Sequence, residues 1–163
     1  MIAVSNASPL IVLSAVRHLW VLEALYERVL IPRGVHDEVV LDSHGRAGAA
    51  EVVEAAWIEI REVGNLDAVK ALTAGGLGRG ESEAITLARE AGVRTIVLDD
   101  LRARKMAERY PLQITGVVGI LILAKRRGLI PALKPVLDEV ISAFHFHVGS
   151  GLYQNALRDA GEL

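Results

Sequence analysis

The chain contains the stretch Arg94-Thr95-Ile96-Val97-Leu98-Asp99-Asp100 just past its middle, and this stretch decides the fold class. Its β-branched and aliphatic residues are typical of a short strand buried on both faces, as in parallel sheets. Residues 81–91, before it, follow the apolar spacing of a helix that ends at Gly92, and residues 101–109, after it, form a basic helix. Helix, buried strand and helix in succession predict an α/β protein.

The same alternation extends along the chain on both sides of this stretch. Further strands are predicted at residues 2–5, 28–31, 57–61 and 113–115, and further helices after Ser8, from Pro32, and at 47–56, 66–72, 117–127, 131–144 and 150–160. Neither a linker nor an internal repeat interrupts the pattern. We therefore expect a single domain over residues 1–163, with three α/β/α layers around a central parallel sheet of four or five short strands.

Composition excludes several classes of protein. The 163 residues include no cysteine, which excludes disulfides, thiolate metal sites and a thiol nucleophile and fits a cytoplasmic location. The longest apolar run, at residues 117–124, is too short to span a bilayer, and the N-terminus does not resemble a signal peptide, so no membrane role is expected. Because the net charge is -2, any nucleic acid has to be held by a local basic patch.

Acids and an amide lie where predicted strands and helices begin or end. They are Asn6, Glu38, Glu81, Glu83, Asp99 and Asp100. Ligands of parallel sheets gather at the carboxyl ends of the strands, so Asn6 and Asp99 are expected at the same edge. Carboxylate and carbonyl oxygens are the ligands that Mg²⁺ and Mn²⁺ prefer. The pattern therefore indicates metal-assisted phosphate chemistry.

The order of several sequence blocks carries a resemblance to a known superfamily. The blocks are Val4-Ser5-Asn6-Ala7-Ser8-Pro9-Leu10, Ile31-Pro32-Arg33-Gly34-Val35-His36-Asp37-Glu38-Val39, Gly80-Glu81-Ser82-Glu83-Ala84-Ile85 and Val97-Leu98-Asp99-Asp100-Leu101-Arg102-Ala103-Arg104, with further similarity over residues 116–121 and 125–131. In this order they resemble the PIN-domain superfamily of metal-dependent ribonucleases, and more closely its small prokaryotic branch of VapC-type toxins and their relatives.

The resemblance implies roles for individual residues. In the superfamily, four acids hold one or two Mg²⁺ or Mn²⁺ ions that activate water for attack on an RNA phosphodiester. Glu38, Glu81 and Asp99 match the second, third and fourth of these acids and are the expected catalytic residues. Asn6 stands where the first is usually aspartate, and its amide oxygen brings no charge to the expected metal site.

Other residues extend the expected site. Asp100 is a further expected metal ligand that partly compensates for Asn6, and Glu83 is an alternative to Glu81 because residues two apart on a helix point in different directions. A cluster of basic residues follows the acidic pair and is expected to hold RNA phosphates. Its members are Arg102, Arg104 and Lys105.

Each of these residues also has a purely structural interpretation. Asn6 is compatible with an Asx turn or a helix cap, Glu38 with a solvated surface, and the acids at 81, 83, 99 and 100 with complementing or capping helix N-termini. The basic cluster is compatible with a solvated helix face. His145 and His147 would share one strand face, but no third metal ligand is near them in sequence.

Three functions follow from these observations. The first is a Mg²⁺- or Mn²⁺-dependent endoribonuclease, which the resemblance extends to the toxin of a toxin–antitoxin pair with a small antitoxin as partner. The second, suggested by Asn6, is a PIN-like module that has lost hydrolysis and binds nucleic acid or protein. The third is a nucleotide-binding protein that uses the glycine-rich loop at residues 75–80, although this loop lacks the lysine and hydroxyl of a P-loop. The apolar run at 117–124 further predicts a homodimer.

Overall fold

A five-stranded parallel sheet forms the centre of the computed structural model, which describes residues 1–144 and 148–163. The order of the strands across the sheet is β3-β2-β1-β4-β5. Their bounds are β1 Ile2–Ser5, β2 Arg28–Pro32, β3 Ile58–Arg61, β4 Thr95–Val97 and β5 Gln113–Thr115. The predicted α/β class and its parallel sheet of short strands are confirmed. His145 and His147 lie outside the described residues.

Helices connect the strands and cover both faces of the sheet. Their bounds are α1 Ala7–Ala15, α2 Trp20–Leu25, α3 Arg33–His36, α4 Ala49–Glu54, α5 Leu66–Ala74, α6 Arg79–Glu90, α7 Leu101–Ala107, α8 Val117–Arg126, α9 Lys134–Phe144 and α10 Ser150–Asp159. A π-helical turn, Asp37–Leu41, continues directly from α3. Among the described residues, none of the helices is both long and apolar enough to cross a membrane.

Alternating residues of the strands are buried in two separate hydrophobic cores, one on each face of the sheet, so the molecule has three layers. In β2, Val29 and Ile31 pack with α1, α2 and α8, whereas Leu30 packs on the opposite face with α6. Ile96 and Val97 of β4 divide in the same way. Because side chains alternate along a strand, a fully apolar strand buries one set of residues on each face. The sheet is therefore covered on both faces, and polar side chains that follow its strands lie at its carboxyl edge.

Some predicted helix boundaries differ from the structure. Ser8 was expected to cap the first helix, but α1 begins at Ala7 and Asn6 occupies the cap position. The backbone N–H of Asn6 donates to the Val97 carbonyl at 3.1 Å, which extends the strand contact by one residue and lets the helix begin immediately afterwards. The short helix α2 was not predicted.

The apolar helix α8 is covered by helices of the same chain. It contacts α1, α2, α9 and α10. Val117, Ile120, Leu121 and Ala124 are buried by these contacts. The apolar surface that suggested a homodimer is thus largely accounted for within one chain, and the homodimer stays a prediction.

Candidate active site

Asn6 lies at the carboxyl edge of the sheet, between the ends of β1 and β4. Only 4% of the residue is exposed. Its side chain makes no capping hydrogen bond to α1, and within the described residues its Oδ1 is buried without a hydrogen-bond partner. A buried acceptor without a partner is uncommon and calls for an explanation such as a bound ion or water. Asn6 thus occupies the N-cap position of α1, but its side chain does not cap the helix.

Gly80, in the first turn of α6, lies next to both the carboxylate of Glu38 and the side-chain amide of Asn6. A Cβ atom placed on Gly80 would lie 3.2 Å from Glu38 Oε2 and 3.4 Å from Asn6 Oδ1. Both oxygens therefore face the same small volume at the start of α6. The absence of a side chain at residue 80 is what leaves this volume free.

Glu38 belongs to the π-helical turn, where the N–H of Asp42 donates to the Asp37 carbonyl at 2.8 Å. Burial raises the pKa of Glu38, and the nearby carboxylate of Glu81 raises it further, while Arg46 acts in the opposite direction. An open cleft of about 350 Å³ lies between this turn and the start of α6. Asp37, Glu38, Asp42 and Glu81 supply its acidic walls.

The two glutamates of α6 have different environments. Glu81 lines the cleft, and its Oε2 accepts the N–H of Gly78 at 3.0 Å, so it also satisfies the N-terminus of its own helix. Glu83 points towards α3, where its Oε2 packs against Gly34 and lies 3.2 Å from Arg79 Nε as an ion pair, although in the described residues this oxygen is buried without a hydrogen bond. Of the two, Glu81 is therefore the residue that faces Glu38.

Arg79 is a cation of the cleft that the sequence analysis did not single out. Its Nη1 lies 3.1 Å from Asp37 Oδ2, while its Nε pairs with Glu83. Desolvation raises the pKa of Asp37, but hydrogen bonds from His36 and Arg79 outweigh it and the net direction is downward. Arg79 therefore offsets part of the negative charge around Glu38. Its spacing of four residues from Glu83 was the available sequence signal.

Asp99 lies just beyond β4 and beside the start of α8. Its Oδ1 accepts the N–H of Val117 at 2.9 Å, whereas its Oδ2 is buried without a hydrogen-bond partner in the described part of the chain. Burial raises the pKa of Asp99, opposed by the Val117 N–H and by the charge of Arg104. Because Ser5 and Val97 are paired in the sheet, Asn6 and Asp99 follow neighbouring strand ends.

Asp100 and the basic residues after it lie at the periphery of the candidate site. Asp100 is exposed and its Oδ1 accepts the N–H of Ala103 at 2.8 Å, so it caps α7, as its structural interpretation expected. Arg104 is half-buried next to Asp99 and donates to the Leu98 carbonyl at 2.9 Å. Arg102 donates to the Gly76 carbonyl at 3.3 Å, and Lys105 is exposed.

The glycine-rich loop does not offer a free anion cradle. The N–H of Gly78 is taken by the carboxylate of Glu81, and Arg102 is tied to the loop carbonyl of Gly76. A phosphate at the start of α6 would meet the Glu81 carboxylate instead of a free amide. The nucleotide-binding interpretation of residues 75–80 therefore gains no support from the structure.

Comparison with known proteins agrees with this architecture. A family model described as a PIN domain matches residues 2–162. The chain belongs to the PIN-domain family. PIN domains are generally nucleases, which act on nucleic acid and typically use divalent metal ions. Neither the curated proteins nor the solved structures gave a significant match.

The residues of this PIN domain fit a divalent cation only in part. In residues 1–144 and 148–163, no three His, Cys, Asp or Glu side chains are grouped closely enough to hold a metal ion. Asp99 does not line the acidic cleft, so the predicted acids do not share one pocket. However, the orphaned oxygens of Asn6 and Asp99 follow neighbouring strands, and Glu38 approaches Asn6. Mg²⁺ commonly binds through one or two carboxylates, with water and substrate phosphate completing its shell.

Proposed function

We propose that this PIN domain is a Mg²⁺- or Mn²⁺-dependent endoribonuclease that hydrolyses RNA phosphodiester bonds. One observation carries the proposal: two buried, unpartnered oxygens, Asn6 Oδ1 and Asp99 Oδ2, follow neighbouring strand ends, with the Glu38 carboxylate close to the first. Helix caps do not require such orphaned acceptors, whereas a cation satisfies them.

Asn6, Glu38 and Asp99 are the residues that would hold the metal ion, with Glu81 at the border of the site. A bound Mg²⁺ or Mn²⁺ supplies a more acidic water and neutralises charge that grows on the phosphate. Asp99 is oriented by the Val117 N–H, and Gly80 keeps the space between Glu38 and Asn6 open. These fixed contacts hold the oxygens in place before the substrate arrives.

The neutral amide of Asn6 affects both metal and substrate. An aspartate at this position would add one negative charge next to Glu38, which would strengthen metal binding but repel the RNA phosphates. Arg104 lies beside Asp99 and is the proposed phosphate contact closest to the metal, with Arg102 and Lys105 as further contacts on α7. These cations provide the local positive charge that a net charge of -2 does not.

The physiological part of the proposal depends on the resemblance to VapC-type proteins and on composition. It comprises the toxin role, a small antitoxin partner, a homodimer and a cytoplasmic location. The absence of cysteine is compatible with a reducing compartment. Co-purification of the chain with the product of its neighbouring gene tests the antitoxin, and light scattering tests the dimer.

The decisive experiment measures cleavage of a labelled single-stranded RNA with MnCl₂ and with EDTA. We expect cleavage in Mn²⁺ alone, and its loss in Asp99→Ala and Glu38→Ala. Asp67→Ala, which removes a carboxylate from the exposed start of α5, is the matched control and retains activity. A DNA oligonucleotide of the same sequence tests the choice of RNA. Full activity in Asp99→Ala would contradict the proposed site.

A second candidate is a PIN domain that binds nucleic acid or protein without hydrolysis. The observation that favours it is that no three acids cluster among the described residues. Asn6 contributes to this because it is an amide at a position where an acid is expected. Asn6→Asp separates the two candidates. If Asn6→Asp cuts RNA and the natural chain does not, the binding module is the better description. If both cut RNA, the binding module is rejected.

A further inference from the structure

A cleft of about 710 Å³ lies at the opposite end of the sheet from the proposed metal site. Arg94, just before β4, and Gln113, the first residue of β5, are on its walls. The paired residues Thr95 and Gln113 mark this as the amino end of both strands. Its volume lies in the range of small-molecule and cofactor sites. The cleft is separate from the acidic edge where Asn6 and Asp99 lie.

Two arginines give this cleft a positive charge. The guanidinium of Arg89 lies over the ring of Tyr110 at 3.9 Å from its centroid. A cation–π contact of this kind holds the guanidinium against the ring without using its N–H groups as hydrogen-bond donors. In the described part of the chain, the side chains of Arg89 and Arg94 form neither a hydrogen bond nor an ion pair with a carboxylate, and the residues lining the cleft include no acid.

Negative groups at the C-terminal end of α6 are hydrogen-bonded within the chain. The C-terminal carbonyls of α6 would repel an anion, but those of Leu87, Ala88 and Arg89 accept the N–H groups of residues 91–93. The carboxylate of Glu90 accepts the N–H groups of Gly64 and Asn65 at 2.8 and 3.0 Å. Since no acid of the described residues lines the cleft, the two arginines are the charged residues on its walls.

The rest of the lining is suited to a flat, partly apolar group. Val93, Tyr110 and Leu112 are half-buried and give the cleft an apolar wall next to the arginines. A second hollow of about 370 Å³ shares Arg94 and Gln113 and continues towards Met1. A ligand with one anionic end and one planar end fits this combination, because Arg binds phosphate through its fork of N–H donors and the apolar wall shields a ring.

We propose that this cleft binds a nucleotide, with its phosphate between Arg89 and Arg94 and its base against the wall formed by Val93 and Leu112. The nucleotide is either free or one unit of a single-stranded RNA chain. This binding does not depend on the metal site or on hydrolysis, since the two sites lie at opposite ends of the sheet.

Binding is measured in EDTA, so that metal-dependent contacts and cleavage do not contribute. AMP is titrated by calorimetry, and a fluorescein-labelled 10-nucleotide RNA by anisotropy at low salt. We expect at least one of the two to bind, and Arg94→Gln to weaken that binding by roughly tenfold, the effect of losing one charge-assisted contact. Because Arg94 is exposed, Arg94→Gln should retain the fold, including the contact of Arg89 with Tyr110.

Arg61→Gln is the matched control, because it removes the same charge from β3 at the other edge of the sheet. It should leave binding unchanged. Binding of AMP identifies a free nucleotide, and binding of the RNA alone identifies a strand segment. The proposal is overturned if neither ligand binds, or if Arg94→Gln and Arg61→Gln bind equally well. Cleavage activity plays no part in this outcome, so the endoribonuclease proposal is tested separately.

Discussion

Asp99→Asn should stabilise the metal-free protein while removing its response to metal. The buried Oδ2 of Asp99 has no hydrogen-bond partner in the described residues, and burial raises the pKa of its carboxyl group. An unsatisfied buried acceptor costs roughly 1–3 kcal/mol. The asparagine keeps the bond from the Val117 N–H and removes a buried negative charge, but it places an amide NH₂ group where Oδ2 lies and loses the attraction of Arg104. We therefore expect a net gain of about 1 kcal/mol, or about 2–4 °C in melting temperature for a chain of this size.

Metal binding should reverse the order of the two melting temperatures. A cation present at about 100 times its dissociation constant stabilises the natural protein by roughly 2.7 kcal/mol. Because Asp99→Asn removes a charged ligand, most of this stabilisation should disappear. In a thermal unfolding assay the variant should therefore melt above the natural protein in EDTA and below it in MnCl₂. Asp67→Asn, an exposed substitution of the same type, should change neither curve by more than about 0.5 kcal/mol.

The pH dependence provides a further check of the same reasoning. Since the folded pKa of Asp99 is raised, the native state binds more protons than the unfolded state in the window between the two pKa values, and stability falls as pH rises through that window. In EDTA the advantage of Asp99→Asn should be largest at a pH above the raised pKa and shrink as the solution is acidified through it. An equal Mn²⁺ shift in both proteins, or a variant that melts lower in EDTA, would refute the reasoning.

Two further substitutions separate structural from functional roles. Gly80→Ala places a Cβ 3.2 Å from Glu38 Oε2 and 3.4 Å from Asn6 Oδ1, and these tight contacts oppose the helix preference of alanine, which is roughly 1 kcal/mol. The melting temperature should therefore change little while the Mn²⁺ shift is lost. An unchanged Mn²⁺ shift would show that this space is not used. Asp100→Ala removes the cap of α7 and should lower the free energy of unfolding, measured in urea, by about 1 kcal/mol, while RNA cleavage persists. Loss of the Mn²⁺ shift in this variant would show that Asp100 belongs to the metal site.

The layers and the sheet were predictable because they depend on local pattern. Each strand is a short apolar run next to a helix, and consecutive strands of this kind have few arrangements other than a parallel sheet. The position of Asn6 and Asp99 at one edge follows from the same rule, because both follow strands at their carboxyl ends. The fold could therefore be deduced without any knowledge of long-range contacts.

The contacts inside the site were not predictable in the same way. Arg79 pairs with Asp37 across 42 residues of sequence, and Asp99 finds the N–H of Val117 across 18. These partners depend on how the helices pack against the sheet. The sequence pattern of a single helix or strand does not contain that information. For Asp100 the local rule for helix caps was sufficient, whereas Asn6 takes the N-cap position of α1 but its side chain makes no capping hydrogen bond.

The π-helical turn at Asp37–Leu41 has a consequence for how this segment tolerates change. A turn of this kind holds one residue more than an α-helical turn, and each residue of an α-helix advances the chain by about 100° around the axis. Loss of a single residue here would restore α-helical geometry. The side chains that follow, including Asp42, would then point in a different direction around the helix axis. Exchanges of residues within the segment should thus be far milder than a one-codon deletion, which would misalign one whole wall of the acidic cleft.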